Sequence, residues 1–385
     1  MGKKGVSRNT KIFGVASFFT DLSSEMLVPV IPIFLTAFLG AGAFVVGLME
    51  GLGEMAVAVF KYVSGKLADV RKKKPMVVAG YGLSAFMKLM FAFVTTWPQF
   101  VAAKTVERAG KGMRDVPRDV LIGVSEEKER VGRAFGFRQM LDSAGALLGP
   151  LVVAALLVFM ESWEPGEMYR TIFLIAVVPA ALAVFVLFFV KEGKAVEKRG
   201  KKGVGIPPEF RPFLLVAAVF SIGQMGISFF ILRANELLPL ILVPISYIAY
   251  NAAYTAAALP VGMLADRFGP KRMLAIGYIF FAVACASFAF ASGVVAVLVL
   301  FCMLGIFMAI LRTSPGDFIV GHVAPQKYGS AMGTYEGLTG MLFLPANLVA
   351  GLLWETYVFD AHAPLLISAV MGICAAIAMV TLVKD

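Results

Sequence analysis

Four carboxylates stand in two pairs within the first two long apolar runs of the sequence. Asp21 and Glu25 are four residues apart, and Glu50 and Glu54 repeat this spacing. Residues four apart lie on one face of a helix, so each pair presents two acids to the same surface. An ionisable group near the centre of a membrane helix costs roughly 2.5–3.5 kcal/mol on insertion scales, which makes these four residues candidates for a function.

Proton coupling is the chemistry that such acids can perform. A buried carboxylate beside an arginine can exchange a salt-bridged form for a protonated form when a solute displaces its partner. Because the four acids outnumber their obvious basic partners, we prefer this role for them over a static charge network. Arg138 and Asp142, also four apart, are instead expected to form a static pair that makes their burial tolerable. Lys61 and Lys88 are expected nearer opposite membrane surfaces.

The composition predicts that these charges lie in membrane helices. Of the 385 residues, 59% are hydrophobic and 16% are charged, whereas roughly 45–50% of the residues of a soluble protein are apolar. A helix that crosses a membrane needs about 20 mostly apolar residues. The sequence therefore predicts an all-α membrane protein with twelve transmembrane helices. Their approximate spans are 11–38, 43–65, 75–95, 98–120, 132–159, 169–190, 211–234, 240–263, 272–291, 294–314, 327–354 and 361–383.

Positive charge is concentrated in the connections on one side of these runs. The formal net charge is +10, and basic residues gather at 71–74, 114–133, 191–202 and 267–272. Loops rich in Lys and Arg stay in the cytoplasm, so we expect both termini on that side of a cytoplasmic membrane. The same placement argues against binding to nucleic acid, which needs basic residues clustered on a soluble surface.

One long polar segment divides the chain. Residues 191–210 are rich in Lys and Gly and end near paired prolines, which is typical of a linker. We therefore expect an N-terminal six-helix bundle over 1–190, a cytoplasmic linker over 191–210 and a C-terminal six-helix bundle over 211–385.

An internal repeat relates the two halves. The segment GKLAD at 65–69 returns as GMLAD at 262–266, an offset of 197 residues. The segment RDVPRDVLIG at 114–123 returns as RTSPGDFIVG at 312–321, an offset of 198 residues. Parallel six-helix repeats related by an axis along the membrane normal are an arrangement of secondary transporters. The repeat thus predicts two bundles with pseudo-two-fold symmetry that alternate access around a site at the midplane.

Both copies of the first repeated motif place a glycine, a carboxylate and a basic cluster at a helix end. Glycine lets two helices approach closely, the aspartate can accept hydrogen bonds from a helix amino terminus, and the cations can tie the loop to the partner half. We expect a cytoplasmic latch here. Its candidate residues are Gly65, Asp69 and Arg71 in the first copy, and Gly262, Asp266, Arg267 and Lys271 in the second.

This motif resembles the signature of the major facilitator superfamily, which reads Gly, any residue, Leu, Ala, Asp, Arg, any residue, Gly and then two basic positions. The second copy matches it closely, whereas the first has Val70 and Lys72 where Arg and Gly are usual. The segments FTDLSSEM and GKGMRDVPRD also resemble a poorly characterised prokaryotic permease group. The resemblance covers essentially the whole chain, and it implies the fold of that superfamily in the inner membrane of a prokaryote.

Two further motifs resemble those of proton-coupled members of the family. In the fourth run, Arg108 followed by Gly112 resembles an arginine motif that implies a role for Arg108 in proton coupling. A pattern in the fifth run resembles the motif of the antiporter branch, which implies export, although Val153 and Ala154 replace its closing glycines. The alternative is that these small residues only let helices pack. The pattern consists of Gly136, Gly145, Gly149 and Pro150.

The second half of the sequence has fewer ionisable residues inside its apolar runs. Where the first half has Glu50 and Glu54, the repeat places Tyr247 and Asn251. We therefore expect proton coupling mainly in the first half, and solute recognition by aromatic, hydroxyl and amide groups of the second. The candidate residues of the substrate cavity are Arg138, Tyr247, Tyr250, Asn251, Tyr254 and Glu336.

Proton-coupled export of a small solute is the leading hypothesis for function. Uptake by a proton symporter is the nearest alternative, since both use the same fold and acids; a lipid-moving or membrane-embedded enzyme protein is a more distant one. An enzyme is not expected, because the sequence has no GxSxG, HExxH or P-loop pattern. Its isolated cysteines and two histidines predict neither a metal site nor a cofactor. We expect a monomer whose partners are the solute, the proton and the lipid bilayer.

Overall fold

The computed structural model describes residues 5–68, 71–127, 130–192, 210–323, 327–356 and 361–383. Every regular element in these ranges is helical, and the helices form twelve segments, which confirms the predicted fold class. The segments are α1 Arg8–Phe38, α2 Ala43–Ala68, α3 Lys73–Phe91, α4 Trp97–Val124, α5 Val131–Phe159, α6 Pro165–Leu187, α7 Arg211–Leu237, α8 Leu242–Phe268, α9 Pro270–Ala289, α10 Val294–His322, α11 Tyr328–Glu355 and α12 His362–Leu382.

Ten of these segments, among the described residues, are long and apolar enough to cross a membrane. The other two are α3 and α4, and α4 carries charged residues on almost every turn from Lys104 to Asp119. Several helices run past the predicted spans: α4 ends at Val124 and α10 at His322. Hydrophobicity marks the membrane-crossing part, whereas the backbone hydrogen bonds of a helix can continue into its polar ends.

Two helices depart from regular α geometry. The first part of α1 is a regular helix, Arg8–Leu27, and its last residues form a short helical turn and a π-helical turn over Phe34–Phe38. The helix α7 is interrupted, since Arg211–Gly223 and Ile227–Leu237 are separated by three residues that are not helical. We refer to these two parts as α7a and α7b. Neither irregularity was predicted.

The chain forms two compact units. The first consists of Met1–Phe34 and Ala56–Arg199, and the second of Leu35–Met55 and Gly200–Asp385. The continuous helix α2 therefore contributes its first half to the second unit and its second half to the first. The predicted bundle boundaries at 190 and 211 stay a prediction, because residues 193–209 of the linker lie outside the described residues.

Helix packing within each unit follows the same pattern. In the first unit, α1 packs against α5 and α6, and α3 packs against α4 and α6. In the second unit, α7 packs against α11 and α12, and α9 packs against α10 and α12. Each contact of the first set becomes one of the second when six is added to both helix numbers. The sequence repeat is therefore also a repeat of tertiary structure.

The start of α1 is fixed to the loop between α4 and α5. The Glu126 carboxylate accepts hydrogen bonds from the Ser7 backbone N–H at 2.7 Å and from the Thr10 hydroxyl at 2.6 Å. Burial raises the pKa of Glu126, but these hydrogen bonds lower it more, so the pKa lies below its ordinary value. This contact joins residues more than 110 positions apart in the chain.

The two latch motifs have different backbone conformations. In the second copy, Gly269 ends α8 and precedes α9 with φ +85°, a conformation that side chains with a Cβ rarely adopt. In the first copy, Lys72 holds the corresponding position with φ −61° and ψ 131°, an ordinary extended conformation. The glycine of the family pattern thus has a positive φ in the second copy, whereas Lys72, which replaces it in the first copy, does not. Asp69 lies outside the described residues.

We expect Gly269→Ala to reduce the free energy of unfolding by about 1–3 kcal/mol, because a Cβ is strained at this φ. Gly262→Ala is the matched control in the same motif, since a Cβ added at Gly262 would meet no atom within 4 Å. Thermal unfolding of both purified variants in one detergent measures the effect. Equal destabilisation by the two substitutions would contradict this assignment.

Candidate functional site

Charged side chains are paired inside the first unit along α4. Glu107 is 3% exposed, and its Oε2 lies 2.9 Å from Lys104 Nζ. Arg108, one residue on, is half-buried and within electrostatic range of Glu107. Arg108, the proton-coupling candidate that the motif resemblance implies, thus lies in a continuous row of charges and not beside a single acid.

The next turns of α4 carry two buried arginines. The Arg114 side chain is 4% exposed, lies 4.2 Å above the ring of Tyr81 and donates a hydrogen bond to Ser84 Oγ at 3.0 Å. Its Nε is buried and has no hydrogen-bond partner among the described residues. Arg118 contacts Asp115 at 3.2 Å and Asp119 at 3.0 Å. An unpartnered donor inside a charged cluster can donate a hydrogen bond to an anion or to a carboxylate that moves.

Lys88 is a buried residue that sequence reasoning missed. It lies in the last turn of α3, as expected of a residue near a membrane surface, but its side chain is only 1% exposed. Its Nζ donates hydrogen bonds to Ser23 Oγ at 2.9 Å and to Ser24 Oγ at 2.8 Å. Ser23 in turn donates to the backbone oxygen of Ala176 on α6. These bonds fix the turn of α1 that precedes Glu25.

The acid pair of α1 lies within this charged cluster. Asp21 and Glu25 are both half-buried, and the charged neighbours of Asp21 include Asp142, Lys111 and Arg114 as well as Glu25. The predicted candidates Asp21 and Glu25 of α1 and Arg108 of α4 therefore belong to one unit. Asp21 has two cations and two other acids within electrostatic range, which is the arrangement in which a change of charge on one group alters its neighbours.

Arg138 and Asp142 of α5 form an ion pair with a distance of 2.7 Å. Both side chains are largely buried, at 15% and 13% exposure. Arg138 Nε and Asp142 Oδ1 have no hydrogen-bond partner in the described part of the chain. One polar atom of each side chain thus lacks a hydrogen bond, although the two charges neutralise one another.

Two glycines of α5 bring the backbone of α1 into close contact. A Cβ added at Gly145 would lie 2.5 Å from the Phe18 carbonyl oxygen and 3.2 Å from Asp21 Cβ. A Cβ added at Gly149 would lie 2.8 Å from the Leu22 oxygen and 2.9 Å from Glu25 Cβ. Both glycines of the antiporter-like pattern therefore face the stretch of α1 that carries the two acids.

Gly136 of that pattern does not make such a contact, because a Cβ there would meet nothing within 4 Å. Pro150 is buried within the helix directly after Gly149. The pattern thus contains two glycines that position α1 and one glycine with open space beside it.

The second unit contains a separate polar cluster around the break in α7. Asn347 of α11 is fully buried; its Oδ1 accepts a hydrogen bond from the Gly226 N–H at 2.7 Å, and its Nδ2 lies 3.5 Å from the Gln224 oxygen. Ser228, in the first turn of α7b, donates a hydrogen bond to Glu50 Oε1. Backbone groups released by a helix break need such partners inside a membrane. A carboxylate is also stabilised at a helix amino terminus.

The structure assigns the second acid pair to this unit. Glu50 lies so close to the break that a Cβ at Gly226 would be 2.9 Å from Glu50 Cδ. Glu54, one turn further along α2, is half-buried. Asp21, Glu25 and Arg108 therefore belong to one unit, whereas the acids of α2 belong to the other.

The candidates for solute binding lie mainly in α8. The Tyr247 and Tyr250 rings stack with centroids 5.3 Å apart, and both side chains and that of Asn251 are buried. Gly305 of α10 packs tightly against the backbone of α8, since a Cβ there would lie 2.9 Å from the Tyr254 nitrogen. Glu336 of α11 is half-buried and lies beside Tyr335. The described residues contain no group of three metal-binding side chains.

We expect Gly145→Ala to lower both stability and transport, because the added Cβ would displace the turn of α1 that carries Asp21. Overpacking of this kind typically costs 1–3 kcal/mol. Gly136→Ala, in the same helix, should leave both properties unchanged, because its Cβ has open space. Thermal unfolding and solute flux in proteoliposomes measure the two effects. A Gly145→Ala variant that matches wild type in both assays would refute the positioning role.

Comparison with known proteins identifies relatives over most of the chain. The family model of the Major Facilitator Superfamily matches residues 13–240 and 239–385. An uncharacterized MFS-type transporter of Methanocaldococcus jannaschii is 33% identical over 364 residues, which cover 91% of this chain and 89% of that protein. A shorter match is a multidrug resistance protein, MdtH, of Aeromonas hydrophila, 29% identical over 143 residues, or 37% of this chain and 36% of that protein.

A solved structure agrees with the fold. The crystal structure of a D-xylose-proton symporter matches 98% of this chain and 97% of that chain with a TM-score of 0.79 and 15% sequence identity. At this identity the likeness concerns the fold alone. Together with the family match over nearly the whole sequence, it accounts for the paired loop motifs and the repeated helix packing. The chain belongs to the Major Facilitator Superfamily and is a secondary transporter, not an enzyme.

Proposed function

We propose that this transporter is a proton-coupled antiporter that exports a small solute from the cytoplasm by alternating access. The observation that carries the proposal is the contact of Gly145 and Gly149 with the turns of α1 that hold Asp21 and Glu25. The antiporter-like pattern and the candidate proton carriers are thus parts of one arrangement. The pattern alone would concern only the direction of transport, and the acids alone would concern only its coupling to protons.

The proton-binding step uses the charged cluster of the first unit. A proton on Asp21 removes a negative charge among Lys111, Arg114 and Asp142. The cations then gain a preference for other acceptors, since a charge in a low-dielectric interior needs compensation. A neighbouring carboxylate can supply it. The ionised acids would instead attract a solute that carries a cationic group, so proton binding and solute binding exclude one another, as antiport requires.

Lys88 holds the acid-bearing turn in place during this exchange. Its ammonium group is bonded to Ser23 and Ser24, and Ser23 is bonded to α6. The turn of α1 is therefore restrained from the side opposite to the glycines, by side chains and not by backbone contact. Because this support is rigid, a change of charge on the acids acts on helix packing. It is not absorbed by a local rotation of the turn.

Glu50 gives the second unit its own proton-sensitive contact. An ionised Glu50 accepts the Ser228 hydrogen bond at the amino terminus of α7b, where the helix dipole favours negative charge. A protonated Glu50 loses this electrostatic preference but can still hydrogen-bond. Discontinuous helices form substrate and ion sites in many transporters, so this contact is suited to couple α2 to the break in α7.

The proposed solute-binding residues of the second unit are Tyr247, Tyr250, Asn251, Tyr254 and Glu336. Two stacked tyrosine rings and a neighbouring amide provide an apolar surface with hydrogen-bonding groups. Such a lining suits an amphipathic or aromatic solute. The proposal places the protein in the cytoplasmic membrane as a monomer with both termini in the cytoplasm.

Two observations bear on the direction of transport. The α5 pattern and the partial match to a multidrug resistance protein favour export. Uptake by symport is the competing function, and the fold shared with a D-xylose-proton symporter accommodates it. The same acids would serve either direction, so only a flux measurement separates them.

Everted membrane vesicles that contain the transporter provide the test. A thermostability screen of the purified protein against metabolites and drugs first identifies a ligand, because a ligand that prefers the folded state raises its apparent stability. Addition of this ligand should then dissipate a proton gradient that respiration has established. Ligand that enters the cytoplasm of intact cells together with protons would establish symport and overturn the export proposal.

Neutralising the acids tests the coupling. We expect Glu25→Gln and Glu54→Gln each to abolish solute-induced proton movement while solute exchange across the vesicle membrane continues, because exchange needs no net protonation. Glu161→Gln, an exposed acid between α5 and α6, is the control and should retain both activities. A pH-sensitive dye reports proton movement and labelled ligand reports exchange. Unchanged coupling in both variants would disprove the assignment of the acids.

A further inference from the structure

A cavity of about 550 Å³ lies between α2, α3 and α4 near the end of the first unit that carries the basic loops. Its volume falls in the range of small-ligand pockets. From α2, the wall consists of Phe60, Val63, Ser64 and Leu67, which share one helix face by their spacing. Apolar residues of α3 and Met113 of α4 complete it. None of the proton-coupling or solute-binding candidates lines this cavity.

The inner surface of the cavity suits a hydrocarbon chain. Its one hydroxyl, on Ser64, already donates to the Gly112 oxygen at 3.0 Å. No lining residue has a buried polar atom that lacks a partner. Phe60 and Val63 are nevertheless 39% and 41% exposed, so the apolar wall is accessible from outside. A polar solute would gain no hydrogen bond from this wall, whereas an acyl chain needs none.

One end of the cavity is positively charged. Arg71 and Lys72 line it and are exposed, and neither forms an ion pair with another described residue. The next two basic residues, Lys73 and Lys74, do not line the cavity. Lys74 Nζ also donates a hydrogen bond to the Phe188 oxygen at 2.7 Å. Arg71 and Lys72 are thus the cations of this loop that an anion at the end of the cavity can reach.

We propose that this cavity binds an anionic phospholipid, with an acyl chain between α2 and α3 and the phosphate on Arg71 and Lys72. An apolar wall that ends in two cations matches a ligand that is apolar along its length and anionic at one end. Basic pockets between membrane helices bind anionic headgroups in this way. The site is separate from the proposed transport chemistry, so it stands or fails independently of antiport.

The test measures lipid affinity of the full-length protein by native mass spectrometry and thermal unfolding. The probes are phosphatidylglycerol, phosphatidylcholine and glycerol 3-phosphate, which is a headgroup without acyl chains. Wild type should bind and be stabilised by phosphatidylglycerol, but not by the other two. The double variant Arg71→Gln/Lys72→Gln should bind it about thirty-fold more weakly, as expected from roughly 1 kcal/mol for each basic residue near an anionic lipid.

Two further variants separate the site from general attraction to a basic surface. Ala79→Trp fills the cavity without changing charge and should also abolish the preference; Ala79→Leu serves if the tryptophan variant is not monodisperse. The control Lys66→Gln/Lys191→Gln removes two exposed cations that do not line the cavity, and it should retain the preference.

Three results would overturn the proposal. One is an equal loss of affinity in the Lys66→Gln/Lys191→Gln control, which would mean that lipid is attracted only by surface charge. Another is binding of glycerol 3-phosphate as tight as that of phosphatidylglycerol, which would mean that the cations bind an anion without an acyl chain. The third is undiminished phosphatidylglycerol binding in both the double variant and the cavity-filling variant.

Discussion

The close contact between α1 and α5 is the constraint on which the arrangement of the first unit depends. Without a hydrophobic driving force between helices in lipid, association relies on close packing of small residues and on polar contacts. Gly145 and Gly149 supply the first of these along α1. Lys88 supplies the second through Ser23 and Ser24. The acids of α1 are held between these supports, and the nearby cations Lys111 and Arg114 compensate the charge of Asp21.

The two units use the same helix packing for different chemistry. Arg114 is buried against Tyr81 and Ser84 in the first unit, whereas its counterpart in the repeat, Arg312, is exposed in the second. Between the two halves of the sequence, the acids of α2, which belong to the second unit, are replaced by Tyr247 and Asn251 of α8. The repeat thus carries charged side chains in one copy and mainly aromatic and amide side chains in the other. The fold determines where side chains lie but not what they do.

Helix number, the internal repeat and the family could be predicted from the sequence, because each follows from the length of apolar runs or from motifs at fixed spacing. The break in α7 could not. Its residues, Gln224 to Gly226, interrupt an apolar run without a charge or a proline. What stabilises the break is Asn347, more than 120 residues away. The burial of Lys88 was missed for the same reason, since its partners Ser23 and Ser24 lie 65 and 64 positions earlier in the chain.

The break in α7 also has a consequence for the order in which the protein is made. Its two parts, of 13 and 11 residues, are each shorter than the hydrocarbon core requires. While α7 leaves the ribosome, Asn347 has not yet been translated, so the open backbone at Gly226 has no side chain of α11 to satisfy it. Exposed backbone groups cost several kcal/mol each in lipid. The interruption therefore becomes stable only after α11 has inserted, and α7 takes its final form late in biosynthesis.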